Sequence, residues 1–298
     1  MKSKSLLYAL GLLLLCVSAA TAADSPKLTF KFKAVKLPGA VWEEPGGINN
    51  AGVSVGFYVD SGGIQHGYIL KGKKLTTLDD PNATAGTTAG SNLNPDGTVA
   101  VVGSYTSSTT GNSVAFRYKG GKYTDIPGPA GAVSTFGSAI NDSGAVVGYY
   151  ADSGGAVHGF LLKGKTYTTL DVPNATATYA TGINKSGNIS LFWADSSGVF
   201  ESSVYKAKTK TYTTIDVPGA SSTYALDLNA VGDVTYEWLD SSNVIHGALL
   251  HAKKYYKYDY PKSTATYGGG INDKSTIVGG FQTSTGGGDW FAFQATYQ

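Results

Sequence analysis

The stretch from Tyr167 to Asp195, YTTLDVPNATATYATGINKSGNISLFWAD, decides the reading of the whole chain. At its centre an apolar residue precedes an Asn, and a short turn then leads to Gly, as in Ile183-Asn184-Lys185-Ser186-Gly187. The phrase recurs at Asn49, Asn94, Asn141, Asn229 and Asn272, giving intervals of 45, 47, 43, 45 and 43 residues. A fixed period of this size marks a repeat array, in which each unit buries its apolar faces only against its neighbours.

Each unit holds four short apolar-and-Thr segments separated by turns. In the third unit a segment ends at Ile140, the turn Asn141-Asp142-Ser143-Gly144 leads to Ala145–Tyr150, Asp152-Ser153-Gly154-Gly155 leads to Val157–Leu162, and Lys163-Gly164-Lys165 leads to Thr166–Val172. Asx side chains bond the local backbone and Gly supplies positive φ, so these are hairpin turns. Four antiparallel strands per unit, repeated six times, predict an all-β, six-bladed β-propeller. The last unit stops at Gln298 without a fourth strand. The missing one stands at the other end, where Phe32–Ala40 aligns with Tyr212–Ala220, so the N-terminal strand is expected to close the last blade and cover its edge.

The phrases Tyr212–Ala220, Ala139–Tyr150 and His158–Leu162 resemble the bacterial extracellular HAF-type repeats, and the resemblance spans essentially all of residues 24–298. It implies an exported bacterial repeat protein with a propeller fold, and it carries over no catalytic residue. The fourth and fifth units depart from the pattern. Leu191 and Tyr236 replace the Gly seen at Gly56, Gly103, Gly148 and Gly279, and Glu201-Ser202 replaces His-Gly, which marks either a specialised face or drift.

Upstream, Lys2 and Lys4 precede an apolar run from Leu6 to Val17 and the small residues Ser18–Ala23. This reads as a signal peptide over 1–23, cut after Ala22 or Ala23, with a single propeller domain over 24–298 and a secreted or periplasmic destination. The single Cys, Cys16, leaves with the leader, so neither disulfides nor thiol chemistry are expected. A net charge of +2, with Lys scattered among turns and 15% charged residues, offers no basic stripe for nucleic acid. No amphipathic helix is present for membrane insertion, and a monomer is expected.

His66, His158 and His246 are repeat-equivalent. The third strand lies about 10 Å from the channel at the usual strand spacing, too far for three imidazoles to share a metal, so they are read as structural and no metal or cofactor is expected. The acids Asp60, Asp152, Asp195 and Asp240 open one kind of turn, while Asp79, Asp171, Asp216 and Asp259 end one kind of strand, as structural capping predicts. No nucleophile elbow or phosphate loop appears, and no catalytic residue is assigned.

Two groups break or exploit the repeat. Glu237 and Trp238, with Trp193 on the preceding unit, are the one acidic and aromatic grouping off the pattern. Four residues before the apolar-Asn pair stand Phe136, Tyr179, Tyr224 and Tyr267, with Trp42 two residues earlier still in the first unit. On an innermost strand these rings would sit at one level around the axis. They serve either as a stacking surface for sugars or as wedges between blades. The expected function is non-catalytic binding of an extracellular polysaccharide or envelope component. The alternatives are a polysaccharide lyase or hydrolase, and a scaffold for an envelope protein.

Overall fold

The computed structural model describes residues 28–298 apart from 97, 216 and 286; the expected leader at 1–23 and the acid at 216 lie outside these residues. Twenty-four strands and no helix occur among the described residues. They are β1 (Phe30–Val35); β2–β5 (Ala40–Ile48, Ser54–Asp60, Gln65–Lys71, Lys74–Leu78); β6–β9 (Ala89–Leu93, Ala100–Thr106, Ser113–Lys119, Lys122–Ile126); and β10–β13 (Ala132–Ile140, Val146–Asp152, Val157–Lys163, Thr166–Leu170). The chain continues through β14–β17 (Ala177–Ile183, Ile189–Ala194, Phe200–Lys206, Thr211–Ile215), β18–β21 (Ser222–Leu228, Val234–Leu239, Ile245–His251, Lys254–Tyr258) and β22–β24 (Ala265–Ile271, Thr276–Gln282, Phe291–Tyr297).

Strands β2–β5, β6–β9 and β18–β21 form antiparallel four-stranded sheets in chain order, and β1 joins β24, β23 and β22 in a fourth. Strands β10–β17 form one eight-stranded sheet, whose two halves are linked only by the parallel pair Val157 and Ala177. Strand β1 runs antiparallel to β24, with Phe30 opposite Tyr297 and Val35 opposite Ala292. Glu43 ties this region down from β2. Its buried carboxylate accepts from the Leu37 and Ala292 amides, the latter at 3.1 Å, while its own amide donates to the Trp290 carbonyl at 3.0 Å.

The turns follow from side-chain chemistry. Asn49 Oδ1 accepts from the Ala51 and Val53 amides, both at 3.0 Å, and Asp60 Oδ1 from Gly62 at 2.8 Å and Ile64 at 2.9 Å. Each motif fixes a hairpin whose Gly sits in the left-handed region, at φ 74° for Gly52 and 80° for Gly63. The repeat Asn does a second job. Its amide nitrogen donates to the carbonyl of the next repeat's Asn: Asn141 to Asn184 at 3.2 Å, Asn184 to Asn229 at 3.0 Å, Asn229 to Asn272 at 3.4 Å and Asn272 to Asn49 at 2.9 Å. Asn94 instead bonds Asp96 and Thr98 within its own turn, and the Asn49 amide nitrogen is left without a partner.

Each apolar cluster of the core joins sheets of neighbouring repeats. One packs Val204, Ile215 and Val217 against Ala225, Val234 and Tyr236, and another packs Val102, Ala115 and Ile126 against Ile140, Val146 and Phe160. The replacement of Gly in the fourth and fifth units has a packing counterpart here. In most repeats Gly on the second strand lies opposite a ring on the third, as in the pairs Gly56–Tyr68, Gly103–Phe116, Gly148–Phe160 and Gly279–Phe293. A Cβ on Gly103 would lie 2.8 Å from the Phe116 ring. In the two divergent repeats the bulk moves one strand inward: Leu191 lies opposite Ser203 and Tyr236 opposite Ala248, all buried. Volume between the sheets is kept, as close packing requires.

Candidate functional site

The first strand of every repeat carries a β-bulge two residues before its apolar-Asn pair, at Gly46, Ser91, Ser138, Thr181, Leu226 and, within a longer irregularity, Gly269. A bulge re-aims side chains and bends its strand. All six bulged residues line one cavity of about 450 Å³ at the centre of the sheets.

Next along each strand come the residues just before the apolar position, of which Asn92 lines the cavity and forms its floor with the side chain it bonds. Gly47, Ala139, Gly182 and Gly270 are small, whereas Asn92 and Asp227 are long and meet: Asn92 Nδ2 donates to Asp227 Oδ2 at 3.1 Å. Asp227 also accepts from the Leu228 amide at 2.8 Å and the Ile271 amide at 3.1 Å. Glycine is required beside this pair, since a Cβ on Gly182 would come within 2.6 Å of Asp227 Oδ1 and one on Gly47 would collide with the Asn92 side chain. Burial pushes the Asp227 carboxyl up to about 7, against three N–H donors that each favour the anion.

Above the bulges the walls are aromatic. Phe136 on β10 stacks on its cross-strand partner Tyr149, centroids 4.7 Å apart, and Tyr179 on β14 stacks likewise on Phe192 at 4.6 Å. Edge-to-face contacts between Tyr149 and Tyr179 at 5.0 Å, and between Phe192 and Tyr224 at 5.2 Å, join these pairs into a continuous belt. These rings are half-buried and belong to none of the apolar clusters among the described residues.

The remaining arc is acidic and aromatic. Glu237 lies opposite Tyr224 and Glu44 opposite Phe57, so each carboxyl takes a place held elsewhere by a ring. Tyr267 lies opposite Gly280, whose missing side chain leaves room for the ring, and meets Trp290 edge-on at 5.1 Å. Glu44, Phe57, Glu237, Tyr267 and Trp290 all line the cavity, together with Phe136, Tyr149 and Phe192. Burial, helped by the nearby Glu44 charge, pushes Glu237 up to about 7. Glu44 is itself raised by burial, with the Trp42 indole opposing. The buried Tyr267 hydroxyl has no hydrogen-bond partner. No Lys, Arg or His lines the cavity among the described residues.

No known family model matches the chain, and no curated protein resembles it in sequence. Its architecture is nonetheless shared with solved structures. The putative TolB from Agrobacterium tumefaciens superposes with a TM-score of 0.59 at 11% identity, covering 91% of this chain and 98% of that one. TolB from Acinetobacter baumannii gives 0.56 at 11% identity, and this chain, matched over 82% of its own length, spans 65% of that one. A point mutant of Aleuria aurantia lectin, in complex with alpha-methyl-L-fucoside, gives 0.51 at 12% identity over 87% and 96% of the two chains. The fold is propeller-like.

The residues singled out in the sequence fall into three groups on this scaffold. Phe136, Tyr267 and Glu237 line the cavity, and Tyr179 and Tyr224 complete the belt beside it. Trp42, Trp193 and Trp238 are not among its lining residues, although the Trp42 indole approaches the lining residue Glu44. Successive residues of a strand face opposite sides, so Trp238 turns away from Glu237; it stacks on His246 at 4.6 Å beneath the Lys257 ammonium. Trp193 likewise turns away from Phe192 and donates to Ser203 Oγ at 3.1 Å. The grouping of Glu237 with Trp238 and Trp193 therefore does not form.

Glu44, Phe57, Tyr149, Phe192 and Trp290, and the Asn92–Asp227 floor, were not singled out from sequence. Phe57, Tyr149, Phe192 and Glu237 share one place in the repeat, directly after the Gly or its replacement, and that alignment was the available signal. The three aligned His are held within their own repeats. His66 Nδ1 bonds Asp79 at 2.9 Å and His158 Nδ1 bonds Asp171 at 2.9 Å, with Asp60 and Asp152 near the other ring nitrogens. His251 bonds Asp233 at 2.9 Å, and Asp233 also accepts from the Tyr297 hydroxyl at 2.7 Å.

Proposed function

We propose that this protein is an exported, monomeric binding module of the HAF-type repeat kind. In this reading six blades form one domain over 24–298, the N-terminal strand closes the last blade, and the central cavity takes a residue or chain end of an extracellular polysaccharide or envelope glycan. The observation that carries the reading is the cavity itself, where ring faces, hydroxyls of Ser91 and Ser138 and two carboxyls converge over a closed floor. Flat apolar faces beside hydrogen-bonding groups suit a sugar ring, which has apolar C–H faces and a polar rim. A lectin of similar fold that is solved with a fucoside is consistent with this use.

A hydrolase is the second reading, and one observation favours it. Glu44 and Glu237 share the cavity, and a carboxyl raised to about 7 suits a general acid. One experiment separates the two: the protein is incubated with a panel of envelope and plant polysaccharides, and both retention and new reducing or unsaturated ends are scored. Retention without new ends is expected. New ends that vanish in Glu237→Gln would establish the hydrolase, and neither retention nor cleavage across the panel would remove both readings, leaving the protein-scaffold alternative.

A further inference from the structure

We infer that the cavity is selective for a sugar bearing a free ammonium group, as in a de-N-acetylated amino-sugar polymer, with Glu44 and Glu237 receiving the cation and the rings around them receiving the sugar. The inference rests on the binding reading above and narrows its ligand class. Three observations carry it. Both charged residues of the lining are carboxyls, with no cationic side chain of the lining to compensate them among the described residues. Neither is engaged as a structural acceptor in the way its neighbour Glu43 is: Glu43 bonds two backbone amides, whereas Glu44 faces only the Trp42 indole and no described group donates a hydrogen bond to Glu237. The two carboxyls also share the cavity wall with Phe57, Tyr267 and Trp290, ring faces of the kind that attract cations.

Carboxyls held in such a place without a cationic partner lack a structural purpose and are costly to ionise. An entering ammonium removes that cost by pairing with the anion, and it donates charge-assisted hydrogen bonds to otherwise idle oxygens. The same field repels uronates and sulfated glycans. The buried, unpartnered Tyr267 hydroxyl stands ready to serve the ligand's polar rim. A small ammonium such as choline would use only the acidic arc. The belt from Phe136 to Phe192 and the Ser91 and Ser138 hydroxyls call for a sugar-sized ligand.

The test is calorimetric titration of the protein near neutral pH with β-1,4-linked glucosamine trimer, its fully N-acetylated counterpart, an oligogalacturonate and choline. The expected result is tightest binding of the free amine, by about tenfold over the acetylated trimer, as the loss of a charge-assisted contact predicts. Glu237→Gln should abolish that preference, bringing the free-amine trimer's affinity to that of the acetylated trimer measured on the same variant. The same variant should melt no lower than the parent, since it removes a half-buried acid with no cationic partner in the lining, and Glu44→Gln provides a second variant in which the preference should shrink. Equal or tighter binding of the acetylated trimer, choline binding as tight as the trimer's, or a preference surviving both substitutions would overturn the ammonium inference while leaving the polysaccharide reading standing. Binding of none of the sugars would overturn both.

Discussion

Asn92 and Asp227 lie 135 residues apart in the sequence, yet their side chains join at 3.1 Å and close the floor of the central cavity. They belong to the second and fifth of six repeats, so the bond reaches three repeats on and ties strands with no backbone pairing between them. Asp227 accepts three N–H bonds with two oxygens. Asp227→Asn places an NH2 against one or two of the three donors, and the expected cost is about 1–3 kcal/mol in chemical denaturation. An unchanged midpoint would show that the pair does not hold the centre.

The same acid sets a pH dependence. Burial pushes Asp227 up to about 7 from its ordinary 3.8, so between these limits the folded state holds more protons than the unfolded state. Stability therefore falls as pH rises from about 4 to about 7, by up to about 4 kcal/mol from this group. Glu237, raised to about 7, acts in the same direction. His158 does too: raised by its bond to Asp171, it contributes stability below its unfolded value that is lost as pH climbs through the folded one. The half-buried turn acids Asp60, Asp152, Asp195 and Asp240 are lowered by backbone amides or hydroxyls, and their contribution disappears only as pH drops through values below 3.8. Thermal melting from pH 3 to 9 should peak on the mildly acidic side, and Asp227→Asn should flatten its alkaline limb.

The Asn of the repeat is not exchangeable for Asp. In Asn184→Asp one oxygen can still accept from the Ser186 and Asn188 amides, but the donor to the Asn229 carbonyl is lost and a charge appears beside that carbonyl. A loss of about 1–3 kcal/mol is expected, from urea midpoints. Asn94→Asp, in the repeat whose amide nitrogen donates to the Asp96 carboxylate and the Thr98 hydroxyl, sets two carboxylates against each other at a buried site and should cost at least as much.

Cavity rings and core rings are separable by mutation. Phe136→Ala with Tyr149→Ala removes one half-buried stacked pair, and should abolish polysaccharide retention at a stability cost of about 0.5–1.5 kcal/mol beyond lost burial. Phe160→Ala, fully buried between sheets, should cost about 3–5 kcal/mol. Equal destabilisation by the two would make the belt part of the core.

Much of the architecture was legible because it is local. Asn, Asp and Gly at fixed offsets specify each turn, and the match of Phe32–Ala40 to the fourth strands is realised as the pairing of β1 with β24. The cavity was legible only where it obeys the repeat, at Phe136 and Tyr267, or breaks it conspicuously, at Glu237. Glu44 was passed over for Trp42 because aromaticity was followed in place of register; the position four before Ile48 is the Glu. Bulges that turn Ser91, Ser138 and Thr181 inward have no residue signature, and the meeting of Asn92 with Asp227 depends on curvature accumulated over three repeats. At Leu191 and Tyr236 a specialised face and drift stayed open in the sequence because the compensating Ser203 and Ala248 lie on another strand.

Trp290 offers the most direct test of the claim that ligand enters this cavity. Of the four tryptophans it alone lines the wall, edge-on to Tyr267 and in the same lining as both carboxyls, whereas Trp42, Trp193 and Trp238 lie outside it. Titration of the protein with a retained polysaccharide, followed by intrinsic fluorescence, should give a saturable change that disappears in Trp290→Phe, with the affinity of that variant measured independently by calorimetry. A change that persists undiminished in Trp290→Phe, or saturable binding that leaves the fluorescence of the parent untouched, would place the ligand elsewhere on the molecule and contradict the account.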